Sequence, residues 1–176
     1  RRCSSAASDV YKRQNQYCLR YAALNGFEFN PPKTHPFNPL TALRMSLKEV
    51  SGDEQLRVID AIFKGGWSHG ADLGDSTSLI SLLKKHSING ESLNQKVLES
   101  DIKDLLINET NRAIEKGIFG VPTIIVDDNL FWGNDQMDHI ELLLNGKDPL
   151  DHEKLDDQER PRAIDRKAFK KSDKDC

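Results

Sequence analysis

The chain has 176 residues, 37% hydrophobic and 30% charged, with 25 Lys and Arg against 28 Asp and Glu for a net charge of −3. That length suits one domain or one domain with tails, and the near balance of charge gives no footprint for nucleic acid. No apolar run approaches the ~18 residues of a membrane span or the core of a secretory signal, so a membrane partner is not expected.

Residues 1–14 (RRCSSAASDVYKRQ) show no apolar periodicity and no helix start signal. The stretch is basic, Ser-rich and nearly free of acids, as a transit peptide is, but SSAASDVYKRQ resembles a translated adapter from the edge of a metagenomic gene fragment. It is read as a non-native or disordered segment, with the parent chain cut upstream of Asn15. Tyr17 to Asn25 reads as the end of a helix stopped by Gly26. In FEFNPPKTHPFNP, Pro31, Pro32, Pro36 and Pro39 forbid regular structure. Helices are then expected over Leu40 to Val50, over Asp53 to Gly65 with Leu56, Ile59 and Phe63 on one stripe, and over Asp75 to His86, opened by the cap-forming Asp75. Ser92 to Glu99 is a short further helix. Asp101 to Lys116 has the clearest apolar face (Ile102, Leu105, Leu106, Ala113, Ile114) and ends at Gly117.

At Thr123 the period changes. TIIV (123–126) is β-branched and short, Asp127, Asp128 and Asn129 supply turn chemistry, and Leu130-Phe131-Trp132 is a second strand, which makes a β-hairpin. Asn134 is expected to cap a last helix to Leu144, with Met137, Ile140 and Leu144 inward and Gly146 closing it. TIIV is apolar on both faces, as a strand with a neighbour on each side should be, whereas a lone hairpin is marginal in water. A lost strand is the expectation. Asp151 to Cys176 carries eight acidic and eight basic residues and few large apolar ones, so it is expected to be a disordered tail. The foldable unit is about 15–150.

Chemistry concentrates in IFGVPTIIVDDNLFWGNDQMDHI, Ile118 to Ile140. A cis Val121–Pro122 bond before a buried strand would turn the Val121 N–H and C=O outward, where a bound peptide could pair with them. Taken alone, the dipeptide favours an ordinary trans proline. Gly133-Asn134-Asp135 opens the last helix, where free N–H groups suit a carboxylate and the Asp135 carboxylate suits an ammonium group. Alone these residues favour the plain reading as helix caps. In sequence order, with the hairpin between them, the two features point to recognition of an amino-acid-like head group.

The run GxFGVPTxxVDxxLFWGxDxMD resembles the C-terminal signature of the 2-hydroxychromene-2-carboxylate isomerases, which group with kappa-class glutathione transferases and DsbA-like oxidoreductases among thioredoxin-like proteins. RYAALNGFEFNPPKTHPFNPLTALR and WSHGADLGDSTSL are similar to that family's upstream segments. The resemblance implies an α/β, thioredoxin-like domain with a helical insertion (about 38–117) before a β-β-α half (about 121–146), mostly α here because the opening β-α-β is missing. It also implies an enzyme: a glutathione-dependent isomerase of an unsaturated aromatic carboxylate, with glutathione as cofactor. By the same resemblance, Val121 and Pro122 match the edge that pairs with glutathione, and Asn134 and Asp135 match the helix start that holds its γ-glutamyl group. The family's catalytic serine belongs to the missing opening segment; Ser4, Ser5 and Ser8 lack its context, so the catalytic residue is unknown. A DsbA-like thiol-disulfide oxidoreductase or an inactive fragment are the alternatives.

The remaining candidates are weaker. Trp67, beside Asp72, matches the family pattern and reads either as a wall of the substrate pocket or as a helix-end core residue. Phe37 and Arg44 could approach a carboxylated ring, but an ordinary helix-start role is favoured. His35, His69, His86, His139 and His152 share no ligand spacing, so no metal is expected. Cys3, Cys18 and Cys176 are odd in number and far apart, which argues against a disulfide framework and for a cytoplasmic protein. A homodimer is left open.

Overall fold

A computed structural model describes residues 3–156. Of the stretch expected to be a disordered tail, Asp151 to Cys176, His152–Asp156 is helical, and the part beyond Asp156 lies outside the described residues. Two compact units part between Lys116 and Gly117.

The first unit is helical. α1 (Cys3–Asn25) runs through the stretch expected to be irregular. The span contains no Gly or Pro and is rich in Ala, Lys, Arg and Gln, so a helix established near Tyr17 extends backward at little cost. Gly26 (φ +69°) ends it. The helix expected over Leu40–Val50 is broken into α2 (Leu40–Met45) and α3 (Lys48–Ser51). Between them the Ser46 hydroxyl donates to the Ala42 carbonyl (2.9 Å) and Leu47 is extended. That local bond competes with helix continuation.

A 3₁₀ turn (Gly52–Glu54) leads into α4 (Gln55–Phe63), whose last turn widens into a π-turn over Lys64–Ser68. The stripe expected to face inward does not: Leu56 and Phe63 are 79% and 61% exposed, while Val58, Ala61 and Ile62 are buried. The buried stripe leads to Gly65 and Gly66, where a Cβ would collide with Leu82 and Leu73. Glycines there allow the closest approach, and that approach decides which face is buried.

α5 (Ser76–Lys85) is capped as expected, the Ser78 N–H donating to Asp75 Oδ2 at 2.8 Å. α6 (Gly90–Lys96) begins before Ser92 because Asn89 caps it, accepting from the Ser92 N–H at 3.0 Å. A Cβ at Gly90 would stand 2.8 Å from Ile80 Cα, so α5 and α6 cross at backbone contact. α7 (Ser100–Glu115) buries only Ile102 of its expected face; Ile114 is exposed. Met45, Val50, Val58, Leu79, Leu83 and Val97 are fully buried at the centre of this unit's core.

The second unit comprises the hairpin and the helical segments C-terminal to it. β1 (Thr123–Val126) pairs antiparallel with β2 (Asn129–Trp132), Thr123 opposite Trp132 and Val126 opposite Asn129. Asp127 (φ +45°) and Asp128 (φ +67°) make the two-residue, left-handed turn that matches strand twist; aspartate tolerates this conformation better than most residues. Among the described residues β1 has a neighbour on one side only. A 3₁₀ turn (Asn134–Gln136) leads to α8 (Met137–Leu144), closed by Gly146, and α9 (His152–Asp156) comes last. Of the three residues expected inward on α8, Ile140 alone is buried; Met137 and Leu144 are exposed.

Candidate functional site

The Val121–Pro122 bond is cis, in place of the trans bond that the dipeptide alone favours. A second cis bond, His35–Pro36, lies in the Pro-rich loop and carried no signal in the sequence. Val121 is 87% exposed, and neither its N–H nor its C=O makes a hydrogen bond among the described residues. The turn behind it is tightly made. Thr123 Oγ1 donates to the Gly120 carbonyl at 2.6 Å, and a Cβ at Gly120 would stand 2.6 Å from Trp132 Nε1. The indole therefore closes over a glycine, with Phe119 against it (ring centroids 5.1 Å apart).

The structure brings the two halves of the expected site together through one backbone bond. The Gly133 N–H donates to the Pro122 carbonyl at 3.0 Å, which fixes the start of the last helical segment beside the Val121 edge. Gly133 has φ +114°, and a side chain there would collide with Asp135 Oδ1. The Asp135 carboxylate thus folds back over Gly133, and its other oxygen accepts from Gln136 Nε2 at 3.2 Å. Asn134 does not cap the helix, contrary to expectation. The chain enters through a 3₁₀ turn, so Asn134 stands inside the first turn instead of ahead of it. The first amides of such a turn have no acceptor within the helix, and no side chain caps them here. Val121, Pro122, Asn134 and Asp135 are all exposed. An edge N–H and C=O, a group of helix-start amides and one carboxylate can together bind an extended zwitterion.

Trp67 belongs to the first unit, and so do its contacts. It sits on the π-turn, with its ring parallel to Phe29 (centroids 6.4 Å, interplanar angle 0°) and tilted against His35 (5.6 Å). Asn30 holds that turn at two points. Its N–H donates to the Trp67 carbonyl at 2.7 Å and its side-chain amide to the Ser68 carbonyl at 2.9 Å. Sequence reasoning missed both Asn30 and Phe29. Asn30 and its side-chain partner are 38 positions apart, a distance at which no local pattern speaks.

Phe37 packs against the helical core, and Arg44 Nε is buried without a hydrogen-bond partner. Cys18 is half-buried. Among the described residues no three His, Cys, Asp or Glu side chains gather as metal ligands, and no helix is long and apolar enough to cross a membrane.

Comparison with known proteins bears on the family and the fold. Residues 11–145 match the family model of the DSBA-like thioredoxin domain. The chain is 27% identical over 92 residues to a 2-hydroxychromene-2-carboxylate isomerase of Sphingobium xenophagum, covering 52% of this chain and 47% of that protein. With the isomerase of the same name from Pseudomonas sp. (strain C18) the identity is 30% over 89 residues, 50% of this chain and 42% of the relative. The chain thus spans less than half the length of these relatives. A solved structure of a 2-hydroxychromene-2-carboxylate isomerase superposes with a TM-score of 0.69 at 20% identity, over 77% of this chain and 66% of that one. The fold is accordingly thioredoxin-like of the DsbA type, mostly helical with a small two-stranded antiparallel sheet.

Proposed function

The chain belongs to the DsbA-like thioredoxin domain family, and from that premise we propose that the protein is a glutathione-dependent isomerase of the 2-hydroxychromene-2-carboxylate isomerase type. One observation carries the reading: the Gly133 N–H to Pro122 carbonyl bond sets an unpaired backbone edge beside an uncapped helix start and a carboxylate. That set fits glutathione. The Val121 N–H and C=O would pair with its cysteinyl backbone. The amides at Asn134 and Asp135 would receive its γ-glutamyl carboxylate, and the Asp135 carboxylate its ammonium group.

When bound, glutathione supplies a thiolate that can add to an unsaturated aromatic carboxylate and leave again, permitting rotation about the bond between. This chain's residues hold and orient. The turn built on Gly120 and Thr123 fixes the Val121 edge, and Gly133 leaves room for the Asp135 carboxylate. Trp67 is proposed as a wall for the aromatic part of the substrate. No residue of the chain is assigned the catalytic role.

Titration calorimetry of the full chain with glutathione tests the reading. Binding is expected, weakened by about 1–3 kcal/mol in Asp135→Ala, the scale of a charge-assisted hydrogen bond. An unchanged dissociation constant in the variant removes Asp135 from the site; absence of binding to the unsubstituted chain removes the proposal.

A further inference from the structure

Two side chains behind Asp135 decide where its carboxylate stands. Gln136 ends the 3₁₀ turn and His139 lies in the first turn of α8, three positions on, so the two share one helix face. Gln136 Nε2 donates to Asp135 Oδ2 at 3.2 Å, and Gln136 Oε1 stands 3.3 Å from His139 Nδ1. The backbone of Gln136 is tied as well. Its N–H donates to the Gly133 carbonyl at 3.3 Å, while the Gly133 N–H reaches the Pro122 carbonyl at 3.0 Å. A continuous run of hydrogen bonds therefore leads from the cis-proline edge to the imidazole and to the carboxylate. Asp135 Oδ1, folded back over Gly133, accepts from no described residue.

Charge fixes the direction of these bonds. A carboxylate only accepts, so the nitrogen of the Gln136 amide faces Asp135 and its oxygen faces His139. His139 Nδ1 must then carry a proton, in the neutral ring as in the cation. We infer that Gln136 is a positioning residue for ligand recognition and that His139 orients it: together they occupy Asp135 Oδ2 and leave Oδ1 aimed at the ammonium group of an α-amino-acid head. The inference deepens the proposed function and rests on it for the ligand, while the relay itself stands on the bonds of the free protein. Asp135 is exposed, and an exposed side chain gives up rotamer freedom when a ligand fixes it. One that is held beforehand has less to give up, so more of the contact energy appears as affinity.

The test titrates the full chain with glutathione and with N-glutaryl-cysteinylglycine, which lacks only the amino group. Gln136→Met keeps the length of the side chain and removes its amide. It is expected to weaken glutathione about threefold to fivefold, the scale of one exposed hydrogen bond, and to leave the ligand without the amino group within about twofold. Gln136→Ala is the second variant, should Gln136→Met fail to fold. His139→Phe should lose about twofold for glutathione and nothing further in the Gln136→Met background. Equal losses for the two ligands overturn the positioning role. So does glutathione affinity untouched by both Gln136 variants while Asp135→Ala weakens it. Additive losses in the double variant overturn the role given to His139. Nitrogen NMR of the ligand-free chain tests the relay without glutathione: neutral His139 is expected to carry its proton on Nδ1 and to lose that preference in Gln136→Met. A proton on Nε2 in the unsubstituted chain overturns the relay. Failure of glutathione to bind removes the proposed function, whereas the tautomer of His139 judges the relay in either case.

Discussion

The helical unit and the hairpin unit are stabilised in different ways. Fourteen buried apolar residues, from Ala42 to Ile102, form one continuous core in the first, whereas the second buries Ile140 alone among its described large apolar residues. The hairpin unit is defined instead by short-range backbone geometry: a two-residue aspartate turn, the Gly133–Pro122 bond, and glycines at 120 and 133 where side chains would collide. It is also where the backbone groups and charge suited to a peptide-like ligand gather. Most of the packing energy and the backbone groups suited to a peptide-like ligand are therefore carried by separate stretches of chain. A change that damages one should leave the other largely intact.

The largest effect tests that separation directly. Leu79→Ala or Leu83→Ala, at fully buried positions, should cost about 2–5 kcal/mol in a denaturant melt. Leu144→Ala, at a position 68% exposed in the hairpin unit, should stay within about 0.5 kcal/mol. Comparable losses would erase the distinction. Next comes Gly90→Ala, where the new methyl meets the Ile80 backbone; a cost of about 1–3 kcal/mol is expected, and a neutral result would mean α5 and α6 can part freely. A paired experiment sharpens the contrast between helix starts. Asp75→Ala should lose about 1 kcal/mol, since its carboxylate accepts the Ser78 N–H. Asn134→Ala, whose side chain caps nothing, should change stability by less than about 0.5 kcal/mol.

The smallest effect concerns Asp151. Lys154, through its side chain and its backbone N–H, holds this carboxyl below the ordinary aspartate value. Its contribution to α9 is therefore complete above the unfolded pKa and fades as the pH falls through the lower folded one. Carboxyl-carbon NMR of Asp151 should show the depressed midpoint, and Lys154→Ala should raise it.

What the sequence revealed was mostly local. Gly26, Gly117 and Gly146 stop helices at positive φ, Asp75 caps α5, and the hairpin lies where its β-branched run and paired aspartates place it. What it hid depended on residues far apart in the chain. On α4 two apolar stripes compete, and Leu82 and Leu73, meeting Gly65 and Gly66, select the one containing Val58, Ala61 and Ile62. The pairing of Asn30 with Trp67 and Ser68 is equally invisible in either segment alone. At the hairpin the cis bond was foreseen as an option, and its neighbours Gly120 and Trp132 could have been found from the register that sets Thr123 opposite Trp132. The role given to Asn134 as a cap failed because nothing in Gly-Asn-Asp-Gln announces a 3₁₀ turn over an α-helical one.

The π-turn at Lys64–Ser68 has a bearing on how this chain can change by descent. Its wide loop, marked by the His69 N–H reaching back to the Lys64 carbonyl at 3.1 Å, spends one more residue than an α-helical turn would. Loss of a single codon there would let the segment relax to ordinary pitch and continue as helix. Side chains beyond the lost residue would keep their direction around the axis, because the wide turn and an ordinary turn each complete about one revolution. The turn is thus a place where the chain can shed or accept one residue with the segments on either side left in phase.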